Sequence, residues 1–584
     1  MRKTKIVCTI GPASEQFEIL CEMITAGMNV ARMNFSHGTH EEHRGRIETV
    51  RRAAEAVGKP VAIMLDTKGP EIRIGLFKEK KITLREGDIL TLTTREVEGT
   101  QELVTVYYPH LAQDVQPGGR ILLDDGLVGL QVLEISNGTD VKCIVQNAGE
   151  LSDRKRVNLP GVAISLPAVS EQDIADIHFG VEVQVDFIAA SFVQRAADVL
   201  AIRKLIEKAR ADISIIAKIE NAAGVANLDE LLQVADGLMV ARGDLGVEIP
   251  AEEVPIVQKL MIEKANRVGK PVITATQMLD SMIRNPRPTR AEASDVANAI
   301  FDGTDAVMLS GETAVGKYPV ETVQTMARMA LRTEAALDYP DMLRRRGINT
   351  NLTTTDAISQ ASAQTAVGLG ASAILTSTES GYTARMVSKY RPPVPVVAVT
   401  PNQRTVTRLQ LTWGVQPFFG PRTRNTDDMI DSAVEIALEA EMIKEGDLVI
   451  ITAGVPVGVP GTTNLIKAHV VGAVLIRGQG IGAKGATGRV CLAKTLKDAQ
   501  TKFQDGDILI TSSTDAQFVP YMMRSIAVVA EEGGLTSHAA IAGINLGVPV
   551  IVGAEGALEI LEDGMVVTVD GMRGLIYRGA THVV

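Results

Sequence analysis

Short apolar runs that end in polar residues recur along the first half of the chain, at 5–10, 29–34, 61–66, 186–191, 214–220, 237–241, 271–276 and 306–310. Except across one large gap, their spacing is that of one strand plus one helix. The intervals carry amphipathic helical patterns, such as 16–26 closed by Gly27 and 252–268 closed by Gly269. Eight such units predict a (β/α)8 barrel. The gap lies between Asp66 and Asp186. Its residues alternate with a strand period, as in 81–84 and 89–93, with turn signals at 86–88 and 137–138. This pattern predicts an all-β domain inserted after the third barrel strand, where it can act as a lid. Ser170 and Asp173 read as the helix start at which the barrel resumes.

Beyond residue 345 strands alternate with helices again, at 371–377, 394–400 and 447–453, which predicts a doubly wound α/β domain. The Gly-rich stretch 478–488 reads as a linker to a last small domain of roughly 100 residues. The division is therefore 1–70 with 166–345 for the barrel, 71–165 for the lid, 346–474 for the α/β domain and 475–584 for the last.

The polar residues that end the barrel strands are chemically coherent: Arg32, Asn34 and Ser36; Asp66, Thr67 and Lys68; Lys218 and Glu220; Arg242 and Asp244; Thr276 and Gln277; Ser310 and Glu312. In a strand, residues two apart face the same side, so Lys218 and Glu220 share one face at the mouth of a buried sheet. Unpaired charges there are costly. A structural ion pair accounts for those two alone, but not for polar residues gathered at one end of so many strands. That end is where barrels of this kind carry active sites. Glu220 and Asp244 end adjacent strands and suit Mg²⁺ shared with a phosphorylated substrate. Lys218 beside them can neutralise a transferring phosphoryl group or a developing enolate. Arg32, Lys68 and Arg73 add anion-binding capacity.

Composition narrows the choice. A net charge of −11 argues against nucleic-acid and anionic-membrane surfaces. The 4 cysteines, Cys8, Cys21, Cys143 and Cys491, form no C-x-x-C pair, so neither a disulfide framework nor a zinc site is expected. No signal peptide or membrane span is read, and the expected location is the cytoplasm.

Six stretches in barrel order resemble the pyruvate kinase family: Asn34-Phe-Ser-His-Gly38, Leu65-Asp-Thr-Lys-Gly-Pro-Glu-Ile-Arg73, Ala217-Lys-Ile-Glu-Asn221, Met239-Val-Ala-Arg-Gly-Asp-Leu-Gly246, Ile273-Thr-Ala-Thr-Gln277 and Met308-Leu-Ser-Gly-Glu312. The resemblance covers roughly the first 470 residues. It implies phosphoryl transfer from phosphoenolpyruvate to ADP, giving pyruvate and ATP, with Mg²⁺ (or Mn²⁺) and K⁺ as cofactors. By matching position it implies Glu220 and Asp244 as Mg²⁺ ligands, and Asn34, Ser36, Asp66 and Thr67 as K⁺ ligands. Lys218 and Arg32 serve the phosphoryl group, while Gly243, Asp244 and Thr276 seat the substrate carboxylate. The resemblance also makes Thr276 and Ser310 candidates for the relay that protonates the enolate. Arg73, Lys155, Asn34 and His37 contact nucleotide. The family has Gly after the matching Lys, whereas Arg156 follows Lys155 here. The resemblance also implies a homotetramer, and a phosphorylated sugar or nucleotide monophosphate as effector at Thr376, Ser377, Thr378, Ser380 and Thr383. Glu379 inside that loop opposes an anion, so an ordinary capped turn stays open as a reading. Residues after about 475 fall outside the common pattern. Gly533-Gly-Leu-Thr-Ser-His-Ala-Ala540 and Leu546-Gly-Val-Pro549 look like the phosphohistidine domain of phosphoenolpyruvate-utilising enzymes.

Other signals are weaker. Gly480-Ile-Gly-Ala-Lys-Gly485 matches G-x-G-x-x-G, but a strand pattern and no helix follows it. Gly311-Glu-Thr-Ala-Val-Gly-Lys317 nearly matches a P-loop, but Tyr318 stands where Ser or Thr is required. His37, His40 and His43 read as a solvated helix start, and Trp413 as packing. Two other functions compete with a kinase: a phosphohistidine relay through His538, for which no ATP-grasp-type domain is visible, and a catalytically dead metabolite sensor, against which the retained charged residues speak.

Overall fold

The computed structural model describes residues 1–581 apart from 163, 165, 168, 347–352, 456–462, 473 and 483. The described chain forms two compact units, Met1–Asp338 with Asn402–Pro417, and Tyr339–Pro401 with Phe418–Val584.

The first unit is built on a closed barrel of eight parallel strands: β1 (Lys5–Thr9), β2 (Val30–Asn34), β3 (Ala62–Asp66), β4 (Phe187–Ala190), β5 (Ser214–Ile219), β6 (Gly237–Ala241), β7 (Val272–Ala275) and β8 (Ala306–Leu309). Each pairs with its sequence neighbour, and β8 closes on β1 with Lys5 opposite Ala306. The strands are buried on both faces, which explains their near-continuous apolar sequence. Alternation sorts the two faces. Val7, Met64 and Ile216 pack inside the barrel, while Ile6, Cys8, Ile63, Leu65, Ile215 and Ala217 pack outward with the helices. Lys218 therefore follows Ile216 on the inner face.

The chain leaves the barrel after β3 and returns through the helix Glu171–Glu182, whose N-cap Ser170 forms a capping box with Asp173 as expected. Between them lie a two-stranded and a six-stranded sheet. Their own core includes Leu90, Leu92, Val104, Ile121, Leu130 and Val141. One short helix, Leu111–Asp114, interrupts the β structure.

In the second unit, parallel strands β9 (Ala373–Ser377), β10 (Val396–Thr400) and β11 (Leu448–Gly454) lie in the order β10-β9-β11. Strand β12 (Thr463–Val470) adds antiparallel to β11. The last region is an eight-stranded mixed sheet.

The expected linker at 478–488 is a correction. Gln479–Ile481 pairs with Val550–Val552, and Gly485–Leu492 pairs with both Val566–Asp570 and Ile508–Thr511. These glycines serve close backbone approach rather than flexibility: a Cβ on Gly480 meets the Gly571 carbonyl oxygen at 2.4 Å. The strand expected after the G-x-G-x-x-G run is present, so that run opens no helix. The solvated helix-start reading holds for exposed His37 and for His40, which opens the helix His40–Val57, and is corrected for His43. His43 is buried and stacks on Phe35 with ring centroids 4.1 Å apart, and His40 Nε2 lies 2.7 Å from Asp176. Trp413 is buried, as packing requires.

Candidate active site

The site gathers at the C-terminal ends of the barrel strands. Strand register places Asn34 opposite Asp66, Asp66 opposite Ala189, and Lys218 opposite Met239. Lys218 Nζ donates to Asp66 Oδ1 at 2.9 Å and to Ser191 Oγ at 2.7 Å, and lies 3.0 Å from Glu220 Oε1. Arg32 Nε donates to the other Asp66 oxygen at 2.6 Å, and its terminal nitrogen donates to Thr9 Oγ1 at 2.8 Å. The second Glu220 oxygen accepts from the Phe192 backbone N–H at 2.6 Å. All of these charged groups are buried.

Electrostatics follow from that packing. Burial opposes the charge on Lys218, yet Asp66 and Glu220 outweigh it and raise the ammonium above its usual value. Burial opposes ionisation of Asp66 too, but Arg32 and Lys218 hold it below the usual carboxylate range. Glu220 goes the other way: burial pushes it up to about 7, Lys218 opposes this and the charge of Asp244 adds to it. Two mutually repelling carboxylates at one site want a compensating cation. Among the described residues no group of three or more His, Cys, Asp or Glu side chains is set to hold a metal ion. A pair with open positions is what Mg²⁺ takes when substrate oxygens and water complete its shell, so Glu220 and Asp244 fit that ion.

Asp244 lies in the first turn of the helix Arg242–Glu248 directly after β6. The Gly243 N–H donates to Thr276 Oγ1 at 2.8 Å, which brings the two expected carboxylate-binding groups together. Thr276 has φ +68° and Gln277 +54°. A β-branched residue in the left-handed region is strained, and such strain concentrates at functional sites. Arg242 secures the turn by donating to Thr276 O at 2.7 Å and to Asp295 at 2.7 Å. Ser310 follows β8 directly as the N-cap of Gly311–Ala314, and its backbone N–H donates to Glu312 at 2.7 Å.

Of the expected K⁺ ligands, Asn34 Oδ1 accepts from the Ser36 N–H at 3.2 Å, and Thr67 Oγ1 accepts from the Ser191 N–H at 3.1 Å. Asp66 has both oxygens engaged by Lys218 and Arg32. Gly69 lets the chain turn here: φ is +74°, and a Cβ would meet Phe192 and Ser191 at 2.8 Å. Of the nucleotide residues, Arg73 donates to Glu71 at 2.6 Å and Lys155 pairs with Asp124 at 2.8 Å. The His37 carbonyl accepts from His43 Nε2 at 2.9 Å.

Sequence reasoning missed Ser191, which touches both Lys218 and Asp66. Only its place at a strand end signalled it. Nor did it place Arg156, whose guanidinium pairs with Asp244 and, at 2.6 Å, with Glu71.

In the second unit, the loop after β9 leads to the helix Tyr382–Ser388, capped by Gly381 in the left-handed region. Thr376 Oγ1 donates to Val397 O at 3.3 Å, and the Thr383 and Thr463 hydroxyls are 2.7 Å apart. Arg422 pairs with Glu379 across the loop. Ser377, Thr378 and Ser380 complete it.

Strands, lysine, paired carboxylates and inserted β domain together define a barrel enzyme built to handle phosphoryl groups. Known proteins agree. The model of the pyruvate kinase barrel domain matches residues 1–323, that of the pyruvate kinase alpha/beta domain matches 356–469, and that of the mobile domain of PEP-utilising enzymes matches 503–574. A pyruvate kinase from Geobacillus stearothermophilus is 57% identical over 584 residues, and one from Staphylococcus aureus (strain USA300) is 52% identical over 584, each match covering 100% of both chains. The crystal structure of a pyruvate kinase from Cryptosporidium parvum superposes with a TM-score of 0.77 at 42% identity, covering 80% of this chain and 96% of that one. The chain belongs to the pyruvate kinase family and is a transferase enzyme. Among the described residues no helix is long and apolar enough to cross a membrane.

Proposed function

We propose that this enzyme transfers the phosphoryl group of phosphoenolpyruvate to ADP, giving pyruvate and ATP. The observation that carries the reading is Lys218, buried and charged, held between Asp66, Ser191 and Glu220 at the barrel mouth with Arg32 on the same carboxylate. The bond between phosphorus and the enol oxygen breaks, and a bond from phosphorus to a terminal ADP oxygen forms. Negative charge spreads over the phosphoryl oxygens and then rests on the enolate oxygen, where a fixed ammonium is most effective. Arg32 binds the phosphate. Gly243, Asp244 and Thr276 hold the substrate carboxylate, and Thr276 with Ser310 belongs to the path that delivers a proton to the enolate carbon through water. A divalent cation, Mg²⁺ or Mn²⁺, at Glu220 and Asp244 supplies charge neutralisation when bound. K⁺ at Asn34, Ser36, Asp66 and Thr67 adds further positive charge. Arg73, Lys155, Asn34 and His37 contact the nucleotide.

On the same reading the four-part division at 71, 166, 346 and 475 separates barrel, lid, effector domain and appended domain. The chain assembles as a cytoplasmic homotetramer, and the loop 376–383 takes a phosphorylated sugar or nucleotide monophosphate; family resemblance supports these points. Coupled assay of pyruvate formation with phosphoenolpyruvate, ADP and Mg²⁺, with and without K⁺, tests the reading. No pyruvate under these conditions refutes it, and full activity without K⁺ or Na⁺ removes the monovalent site.

A further inference from the structure

Arg156 stands where the family has glycine, and it is engaged on three sides. One terminal nitrogen pairs with Asp244 Oδ1 and lies 3.6 Å from Asp125. The other donates to Glu71 Oε1 at 2.6 Å. The guanidinium carbon lies 5.5 Å from the centre of the Phe192 ring, within cation–π range. The backbone of Arg156 bridges that of Arg73 where the lid chain returns to the barrel.

The consequence concerns the divalent site, and it rests on the reading that Asp244 is a metal ligand. A carboxylate oxygen saturated by a guanidinium is not available to a hard cation. The two positive groups also repel each other if held side by side. We infer that Arg156 is a built-in counter-cation of the metal site. It neutralises Asp244 before metal binds, and it has to give up Asp244 Oδ1 when a divalent ion takes that oxygen. Glu71 and Phe192 give it a second place of rest, so release swings the guanidinium without expelling it to water. Arg156 is thus a positioning residue that sets how tightly this chain takes its metal. A glycine there leaves Asp244 uncompensated and the site open.

The test is Mn²⁺ binding to the full-length chain without substrate, followed by the electron paramagnetic resonance of free Mn²⁺. Arg156→Gly is expected to bind Mn²⁺ roughly tenfold tighter than wild type, the scale of one lost charge contact. Arg156→Gln keeps a polar side chain but removes the charge and the guanidinium over Phe192, and it is expected to tighten binding similarly. Arg156→Lys, which retains a point charge, is expected to fall between. Neutral variants that bind Mn²⁺ no more tightly than wild type overturn the inference. Asp244→Asn separates the two readings. If it weakens Mn²⁺ binding while the Arg156 variants leave it unchanged, the metal site stands and the counter-cation role falls. If Asp244→Asn leaves binding unchanged, the metal is not at Asp244 and both fall.

Discussion

Lys218 and Asp66 meet at 2.9 Å across the barrel mouth, from strands β5 and β3 that are separated by β4. The pair is buried, so the ammonium cannot turn to solvent and stays aimed at the site. Its charge matters most where negative charge develops in transit. Lys218→Met is therefore expected to abolish turnover while phosphoenolpyruvate binding remains measurable by fluorescence or calorimetry. A variant that keeps more than about a tenth of wild-type kcat, a barrier change under ~1.4 kcal/mol, removes Lys218 from the transition-state role.

A second buried lysine sits at the opposite end of the barrel. Lys5 opens β1, is 2% exposed and donates to the Val415 carbonyl at 2.6 Å. Burial, with Arg2 nearby, depresses it from 10.5 to about 7, against the pull of Glu334. Below pH 7 both folded and unfolded chains carry the proton, and the full penalty is present. Between pH 7 and 10.5 the unfolded chain holds a proton that the folded chain lacks, so stability rises with pH across that window. The gain is of order a few kcal/mol. Melting temperatures at pH 7 and 9 are expected to rise less in Lys5→Met than in wild type. Equal slopes refute the assignment.

The loop 376–383, proposed to take an effector, yields a third expectation. A phosphorylated sugar or nucleotide monophosphate is expected to lower the phosphoenolpyruvate concentration for half-maximal rate. An effector shifts a two-state equilibrium only when its contacts differ between the states. Arg422 holds Glu379, which removes part of the repulsion an anion meets there. Thr378→Ala with Thr383→Ala should abolish the response. An unchanged response in that double variant places the effector elsewhere.

The fourth expectation concerns the region after residue 475. Among the described residues its two apolar cores are built from Ile476 to Ile576. His538 opens the helix His538–Leu546, with Nδ1 2.8 Å from Thr514 Oγ1. A histidine can carry phosphate as a nucleophile, but the barrel transfers it directly on the proposed reading. A chain that stops near residue 475 is expected to retain pyruvate formation, with altered stability or effector response. Labelled phosphoenolpyruvate should leave no acid-labile phosphate on His538. Stoichiometric labelling lost in His538→Ala, together with lost turnover, reverses this view.

The barrel was legible because each strand is buried on both faces and ends in, or is directly followed by, a polar residue, so β5 and the Glu220 after it declared both place and chemistry through Ile216, Lys218 and Glu220. Ser191 was not legible in the same way: a serine at a strand end is common, and only the fold brings it to Lys218. Arg156 was visible as a departure, but its contact with Asp244 spans 88 positions of chain and no local pattern encodes it. Strand 479–481 and the glycine-rich start of 485–492 were missed for the opposite reason, although the run from Arg489 did read as a strand. Glycine carries no side chain to display a period, and those strands exist because distant partners pair with them.

The final sheet has one further property. Its first strand, Val474–Arg477, lies beside Leu575–Arg578, near its far end in sequence. The first and last strands of this sheet in sequence therefore lie side by side at one edge. A body whose two ends meet is a portable cassette: it can be joined to a host at one seam, and lost again, without cutting the host's own strands. Such a seam explains in physical terms how a chain can carry a passenger domain.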